Sequence, residues 1–170
     1  ADARDVMLGL LPDSSGLMQV CPPWNRPEYH PSYRSATWPN GATATLFSAE
    51  EPERLRGPQH QFAWGDEPAS WAKPEDTLSN LLLGLRRGKA QLLLTGTPKP
   101  IKIIKDLVKD AQTNSSVVIT RGSMFDNTSL SPVALQRLRR QYEGTRLGRQ
   151  ELYGELLDDN PDALWTSSMI

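Results

Sequence analysis

Hydrophobic and polar positions alternate in two rhythms along the chain. Ala42 to Ser48 alternates and then turns apolar, the period of a strand. Phe62-Ala63-Trp64, bounded by Pro58 and Pro68, predicts a buried strand. Ala90 to Leu94 is nearly all apolar, which predicts a strand buried on both faces. Ser116 to Thr120 predicts a further strand. The helical period appears elsewhere. Val6, Met7, Leu10 and Leu11 share a face over 1–11, and Leu78, Leu81, Leu82 and Leu85 share one from Pro74 to Arg86-Arg87-Gly88. Ile101, Ile104, Leu107 and Val108 give a buried stripe within 100–112. Ser131 starts a helix through Tyr142, and Thr145 caps a last one running to about Leu157. Ser14 to Val20 is a short helix or loop.

Turn signals punctuate these elements. Asn40-Gly41 is a strong hairpin turn. Pro22 to Pro39 reads as irregular, with Trp24, Tyr29, Tyr33 and Trp38 in a loop packed onto the core rather than a base-stacking surface, and His30 an ordinary loop residue. The order strand, strand, helix, strand, helix, strand, helices predicts an α/β layered domain with a mostly parallel sheet.

That topology places particular chemistry together. In open α/β sheets ligands bind at the carboxyl ends of strands. The strand at 62–64 ends in Asp66-Glu67, and the strand at 90–94 ends in Thr95-Gly96-Thr97-Pro98. One carboxylate, Asp66, suits a hard cation such as Mg²⁺. The next, Glu67, suits a water attacking a γ-phosphate. This is the Walker B arrangement of P-loop ATPases. Adjacent acids are also common on solvated turns, so the pair gains weight only from its surroundings. Thr95 and Thr97 bring short hydroxyls that can bond a phosphate, a water or the acids, or merely satisfy a turn. Arg56 lies on the Gly57-Pro58 loop before the acidic strand. It is expected beside the same edge, where a guanidinium can meet phosphate charge.

Composition narrows the classes. At 170 residues the chain suits one domain, and a net charge of −1 gives no bulk signal for nucleic acid. A local basic run, Gln136, Arg137, Arg139, Arg140, Arg146 and Arg149, allows contact with a DNA backbone or a solvated helix face. The single Cys21 excludes an internal disulfide, argues against zinc and fits a reducing compartment. No apolar run reaches membrane-spanning length, and Ala1 to Asp5 lacks the features of a signal peptide. The start without Met suggests a fragment.

Taken together, the chain resembles the ATPase domain of a tailed-phage terminase large subunit, the DNA-packaging motor. The resemblance runs through Trp38-Pro39-Asn40-Gly41, Phe47-Ser48-Ala49-Glu50-Glu51-Pro52-Glu53, Leu55-Arg56-Gly57-Pro58-Gln59, Trp64-Gly65-Asp66-Glu67 and Trp71. It continues in Thr95-Gly96-Thr97-Pro98-Lys99-Pro100, Leu147 to Leu152, Gly154-Glu155 and Ala163-Leu164-Trp165, so it covers nearly the whole chain. It implies a P-loop NTPase-like (terminase/RecA-like) fold, with 1–158 the central to C-terminal part of the ATPase domain and 159–170 the start of a linker. It implies ATP and Mg²⁺ as cofactors, Asp66 on the metal, Glu67 as the catalytic carboxylate, and Thr95 and Thr97 coupling hydrolysis to movement. Arg56 matches a position where related motors carry an arginine finger, acting in cis or on a neighbouring subunit. Implied partners are double-stranded DNA, the portal, the small terminase subunit and further copies of the chain, without a membrane, in the cytoplasm of a bacterial host cell.

The chain departs from the family pattern in having no Gly-x-x-x-x-Gly-Lys-Ser/Thr. The phosphate-cradling loop is therefore expected to be missing from this piece, and so is a nuclease domain, since no convincing cluster of metal-binding acids occurs. Alone the piece is expected to hydrolyse ATP poorly or not at all and to be marginally stable, with an exposed sheet edge. The alternatives are a helicase-like ATPase fragment and a non-enzymatic remnant that binds packaging partners.

Overall fold

The computed structural model describes residues 16–157. The helix expected over 1–11 and the linker start at 159–170 lie outside them. The architecture is mixed α/β, with two separate small sheets. A first helical turn, α1 (Leu17–Val20), precedes β1 (Glu28–His30), β2 (Ser35–Thr37) and β3 (Thr43–Thr45). These three strands form an antiparallel sheet in that order, with Tyr29 opposite Ala36 and Ala36 opposite Ala44. Ala36 is its buried centre.

The β2–β3 hairpin follows from local chemistry. Gly41 takes a left-handed φ of 82°, and the Asn40 side chain accepts a bond from the Ala42 N–H (3.0 Å). The expected strand at 42–48 is thus shorter and belongs to an antiparallel sheet, not to the parallel one. The proline-rich stretch before it, read as irregular, contains β1 and β2, and His30 ends β1. Three-residue strands between prolines carry too few alternations to reveal themselves. Trp24 and Tyr33 are not packed on the core. They ride on the 3-10 turns Pro23–Asn25 and Pro31–Tyr33 and are 80% and 79% exposed.

The second sheet is parallel and positions the candidate site. It consists of β4 (Phe62–Asp66) and β5 (Gln91–Thr95), paired from Phe62–Gln91 to Asp66–Thr95. The crossover between them is helix α2 (Pro74–Gly84), as a parallel pair requires. The residues of α2 that reach the interior are Thr77, Asn80, Leu81 and Gly84, one face at helical spacing. Of the leucine stripe expected from the sequence, Leu81 is buried and Leu78 and Leu85 are half-buried on this side, whereas Leu82 is exposed. Specific anchors turn the helix. Asn80 donates to the Pro52 carbonyl (3.0 Å) and Thr77 to that of Ala49 (3.3 Å). A Cβ at Gly84 would stand 3.0 Å from the Pro58 carbonyl, so a larger residue would press on the chain entering β4.

Two expectations of complete burial do not hold. Phe62 (58% exposed), Trp64 (45%) and Leu93 (48%) share one open face of the parallel pair. On the opposite face Gly65 is buried, and Ala63, Leu92 and Leu94 are half-buried. The apolar run at 116–120 forms no strand. Val118 is 81% exposed there, and neither edge of the β4–β5 pair is extended by it. A run of β-prone residues becomes a strand only when a ladder partner is beside it.

The carboxyl third is helical. Helix α3 (Lys102–Thr113) buries Ile103, which the expected stripe did not include, and leaves the expected Ile101, Ile104, Leu107 and Val108 half-buried. A Ser123–Asp126 capping box starts the 3-10 turn Met124–Asp126. Then come α4 (Pro132–Tyr142), capped by Ser131, and α5 (Arg146–Tyr153), capped by Thr145 through a 2.9 Å bond from Gly148 N–H. Gly154 ends α5 at φ 63°, as helices commonly end. Leu152 and Leu157 are buried. Phe125 meets Tyr153 (5.4 Å between ring centres) and carries the Arg139 guanidinium at 5.3 Å. The Glu143 carboxylate holds Arg139 charged beyond its ordinary range.

Two outcomes follow. A Cβ on Gly65 would meet Leu94 Cδ2 and Trp71 Cζ2 at 2.8 Å. Gly65→Ala is expected to cost about 1–3 kcal/mol by overpacking, read by urea denaturation. The Asp126 carboxyl is held below its ordinary value of 3.8, first by the Ser123 N–H and then by its hydroxyl. This stabilisation is present above the unfolded value and is lost as pH falls through the lower folded one. In an NMR pH titration, Ser123→Ala should raise the Asp126 midpoint part of the way back.

Candidate functional site

The parallel register brings four of the five predicted residues to one carboxyl edge. Asp66 and Thr95 are directly opposite each other as the last paired residues of β4 and β5. The Thr95 hydroxyl donates to Asp66 Oδ1 at 2.7 Å. The same hydroxyl oxygen accepts the Trp64 indole N–H at 2.7 Å. Since residues two apart on a strand share a face, Trp64 reaches across to the threonine beside its own neighbour but one. Trp71, just past the turn, donates its indole N–H to the Asp66 carbonyl at 2.8 Å. Asp66 is therefore held by its backbone from one side and by a hydroxyl from the other, while its carboxylate faces solvent.

Glu67 follows in a left-handed conformation, φ 48° and ψ 54°. That region is sparsely occupied by residues other than glycine. Its N–H donates to the Thr95 carbonyl at 2.7 Å, and its own carbonyl accepts the Ser70 N–H at 2.8 Å as the turn Pro68–Ser70 begins. These bonds hold the strained residue. Its carboxylate bends back over the second strand end, where the Thr97 N–H points between Oε1 (3.3 Å) and Oε2 (3.4 Å). Gly96 makes room for it. A Cβ there would lie 3.1 Å from Glu67 Cα and 3.2 Å from Oε2. Lys99 closes the far side of the turn by donating to Ser70 Oγ at 3.1 Å.

Arg56 is not part of this group. Its guanidinium donates to Asn80 Oδ1 (3.1 Å) and pairs with Glu53 (3.2 Å). It lines a cleft of about 340 Å³ with Leu55, Gly57, Asn80, Leu83, Gly84 and Arg86. That cleft adjoins the carboxyl end of α2, where the chain enters β4 through the His60–Leu85 bridge. It therefore lies towards the amino edge of the sheet, and the strand rises about 13 Å from Phe62 to Asp66. The expectation that Arg56 stands beside the acids is corrected on this point. The Gly57 turn (φ 100°) and Pro58 carry the chain along α2 before it enters the strand.

The arrangement offers one solvent-facing carboxylate with a hydroxyl already on it, and a second carboxylate aimed across a glycine turn. Among the described residues no group of three His, Cys, Asp or Glu side chains converges on a metal position. A cation here would thus use few protein ligands, as Mg²⁺ does when phosphate and water complete its shell. The two indole donors and the Asn80 anchor were not assigned these roles from sequence. Tryptophans flanking an acidic strand end were the available signal, because a half-buried indole N–H needs an acceptor.

The expected outcome for the pair is specific. Thr95→Val should cost about 1 kcal/mol in denaturant unfolding and shift the Trp64 indole proton in the NMR spectrum, whereas Thr95→Ser should leave both nearly unchanged.

Comparison with known proteins supplies the remaining observations. A family model described as terminase large subunit, T4-like virus type, N-terminal, matches residues 1–170. The structure of the large terminase from a thermophilic bacteriophage is similar with a TM-score of 0.65 at 19% sequence identity, over 77% of this chain and 33% of that one. The present chain thus spans about a third of that protein, and at this identity the likeness speaks for the fold. No curated protein matches the sequence.

Proposed function

The chain belongs to the T4-like virus type of terminase large subunits, as an N-terminal part of one, and we propose that it carries the Walker B and coupling elements of the ATPase. On this reading it is the central to C-terminal part of a P-loop NTPase-like domain, and its parent hydrolyses ATP to move double-stranded DNA into a prohead. The family assignment removes the helicase-like alternative. The observation that carries the reading is the pairing of Asp66 with Thr95, which sets Glu67 and Thr97 at the same edge.

Each residue then has a physical task. Asp66 would hold Mg²⁺ through its solvent-facing carboxylate, directly or through water, and Thr95 fixes that carboxylate's orientation. Bound Mg²⁺ would neutralise phosphate charge. Glu67 would orient the attacking water by accepting a hydrogen bond from it, and would take its proton as the water attacks the γ-phosphate. Its bond to the Thr97 N–H ties that carboxylate to the turn after β5, so displacement of one moves the other. This is a direct route from chemistry to movement of the chain beyond Thr97. Arg56, held towards the opposite edge of its own sheet, suits action on the nucleotide of a neighbouring copy better than on its own. Further copies, the portal, the small terminase subunit and DNA are the partners this reading requires, in the cytoplasm of a bacterial host. Among the described residues no helix is long and apolar enough to cross a membrane.

The test is Mg²⁺-ATP turnover by the parent protein. Glu67→Gln should lower kcat by about 10²–10⁴-fold while nucleotide binding persists. Asp66→Asn should raise the Mg²⁺ concentration needed for turnover. The isolated chain, without a Gly-x-x-x-x-Gly-Lys-Ser/Thr of its own, should turn over little ATP. Undiminished turnover in Glu67→Gln would overturn the reading.

A further inference from the structure

The six polar and basic residues between 136 and 149 are not equivalent. Arg139 is occupied by Glu143 and lies over Phe125. Arg149 pairs with Glu155 at 2.6 Å, and Arg146 donates to the Leu157 carbonyl at 3.2 Å. These three hold the helical pair α4–α5 and its C-terminal strap together. Arg137 and Arg140 differ, since no acid or carbonyl of the described residues engages either guanidinium. Both are exposed and one helical turn apart. With Val133, Gln136 and Gln141 they line an open groove of about 330 Å³ along one face of α4. The opposite face, Ala134, Leu135, Leu138 and Tyr142, is the half-buried one. Helix α4 carries no acidic residue, so its charge is positive throughout in a chain whose net charge is −1.

We propose that the Arg137–Arg140 face of α4 is a docking surface for the phosphate backbone of duplex DNA. Charge complementarity argues for this occupant. Two unpaired guanidiniums one helical turn apart can each meet one of two nearby phosphates, with Gln136 and Gln141 as neutral donors beside them. An uncovered Val133 at the end of the groove makes no demand for an apolar partner. Contacts to phosphate carry no sequence information, so binding through this face is independent of sequence. The proposal rests on the DNA-translocating role given above, but it uses residues that take no part in the Asp66–Glu67 edge.

The experiment is fluorescence anisotropy of a short labelled DNA duplex with the 170-residue chain, between 50 and 200 mM salt. Arg137→Gln/Arg140→Gln should flatten the slope of log affinity against log salt by about 1.8, about 0.9 for each phosphate no longer neutralised, and weaken binding on the order of tenfold or more. The charge-matched control Arg87→Gln/Lys109→Gln should leave the slope unchanged. Both pairs are exposed, and circular dichroism verifies that each variant is folded. An equal effect in the control, or no binding by the unaltered chain at 50 mM salt, overturns the surface. Neither result touches the nucleotide reading, which stands or falls on turnover with Glu67→Gln.

Discussion

Everything at the candidate site depends on one register. Five residue pairs join β4 to β5, ending with Asp66 opposite Thr95. Side chains alternate along a strand, so a shift by a single position would turn Thr95 to the other face and set a different side chain beside the aspartate. The hydroxyl–carboxylate bond, the Trp64 indole bond and the Glu67 backbone bond to the Thr95 carbonyl all require this same alignment. The helix between the strands helps to set it, because Asn80, Thr77 and Gly84 fix α2 against the residues preceding β4.

Coverage of the parallel pair is uneven. One face is closed around Gly65, Leu94 and Trp71, while the other presents Phe62, Trp64 and Leu93. Parallel strands in α/β proteins are ordinarily covered on both faces. The acidic edge sits where the closed and open faces meet, so its carboxylates are firmly positioned by backbone contacts yet reachable from solvent.

The sequence was informative wherever the cause is local. Asn40-Gly41 made its hairpin, Ser131 and Thr145 capped their helices, and Asp66-Glu67 and Thr95-Gly96-Thr97 fell at strand ends because the apolar runs stop there. It misled wherever the cause lies elsewhere in the chain. Residues 116–120 have the composition of a strand but pair with neither edge of the β4–β5 sheet. The leucine spacing of α2 placed Leu78, Leu81 and Leu85 on the inward side, but Leu82 is exposed and polar Thr77 and Asn80 share the buried face. Arg56 is close to the acids in sequence, yet residues 57–61 and the whole of β4 lie between them. Partner availability and path in space are non-local properties, and residue spacing alone does not carry them.

The bond chain at the site also has a direction. An indole N–H can only donate, so Trp64 occupies a lone pair of the Thr95 oxygen, and the single hydroxyl proton must point at Asp66. The polarity therefore runs one way, from ring to hydroxyl to carboxylate, and cannot reverse without breaking both links. Whatever draws Asp66 Oδ1 away strands that proton, and the threonine is left as a donor seeking a new oxygen. A phosphate oxygen arriving at that edge would find such a donor already aimed at the place the carboxylate had left.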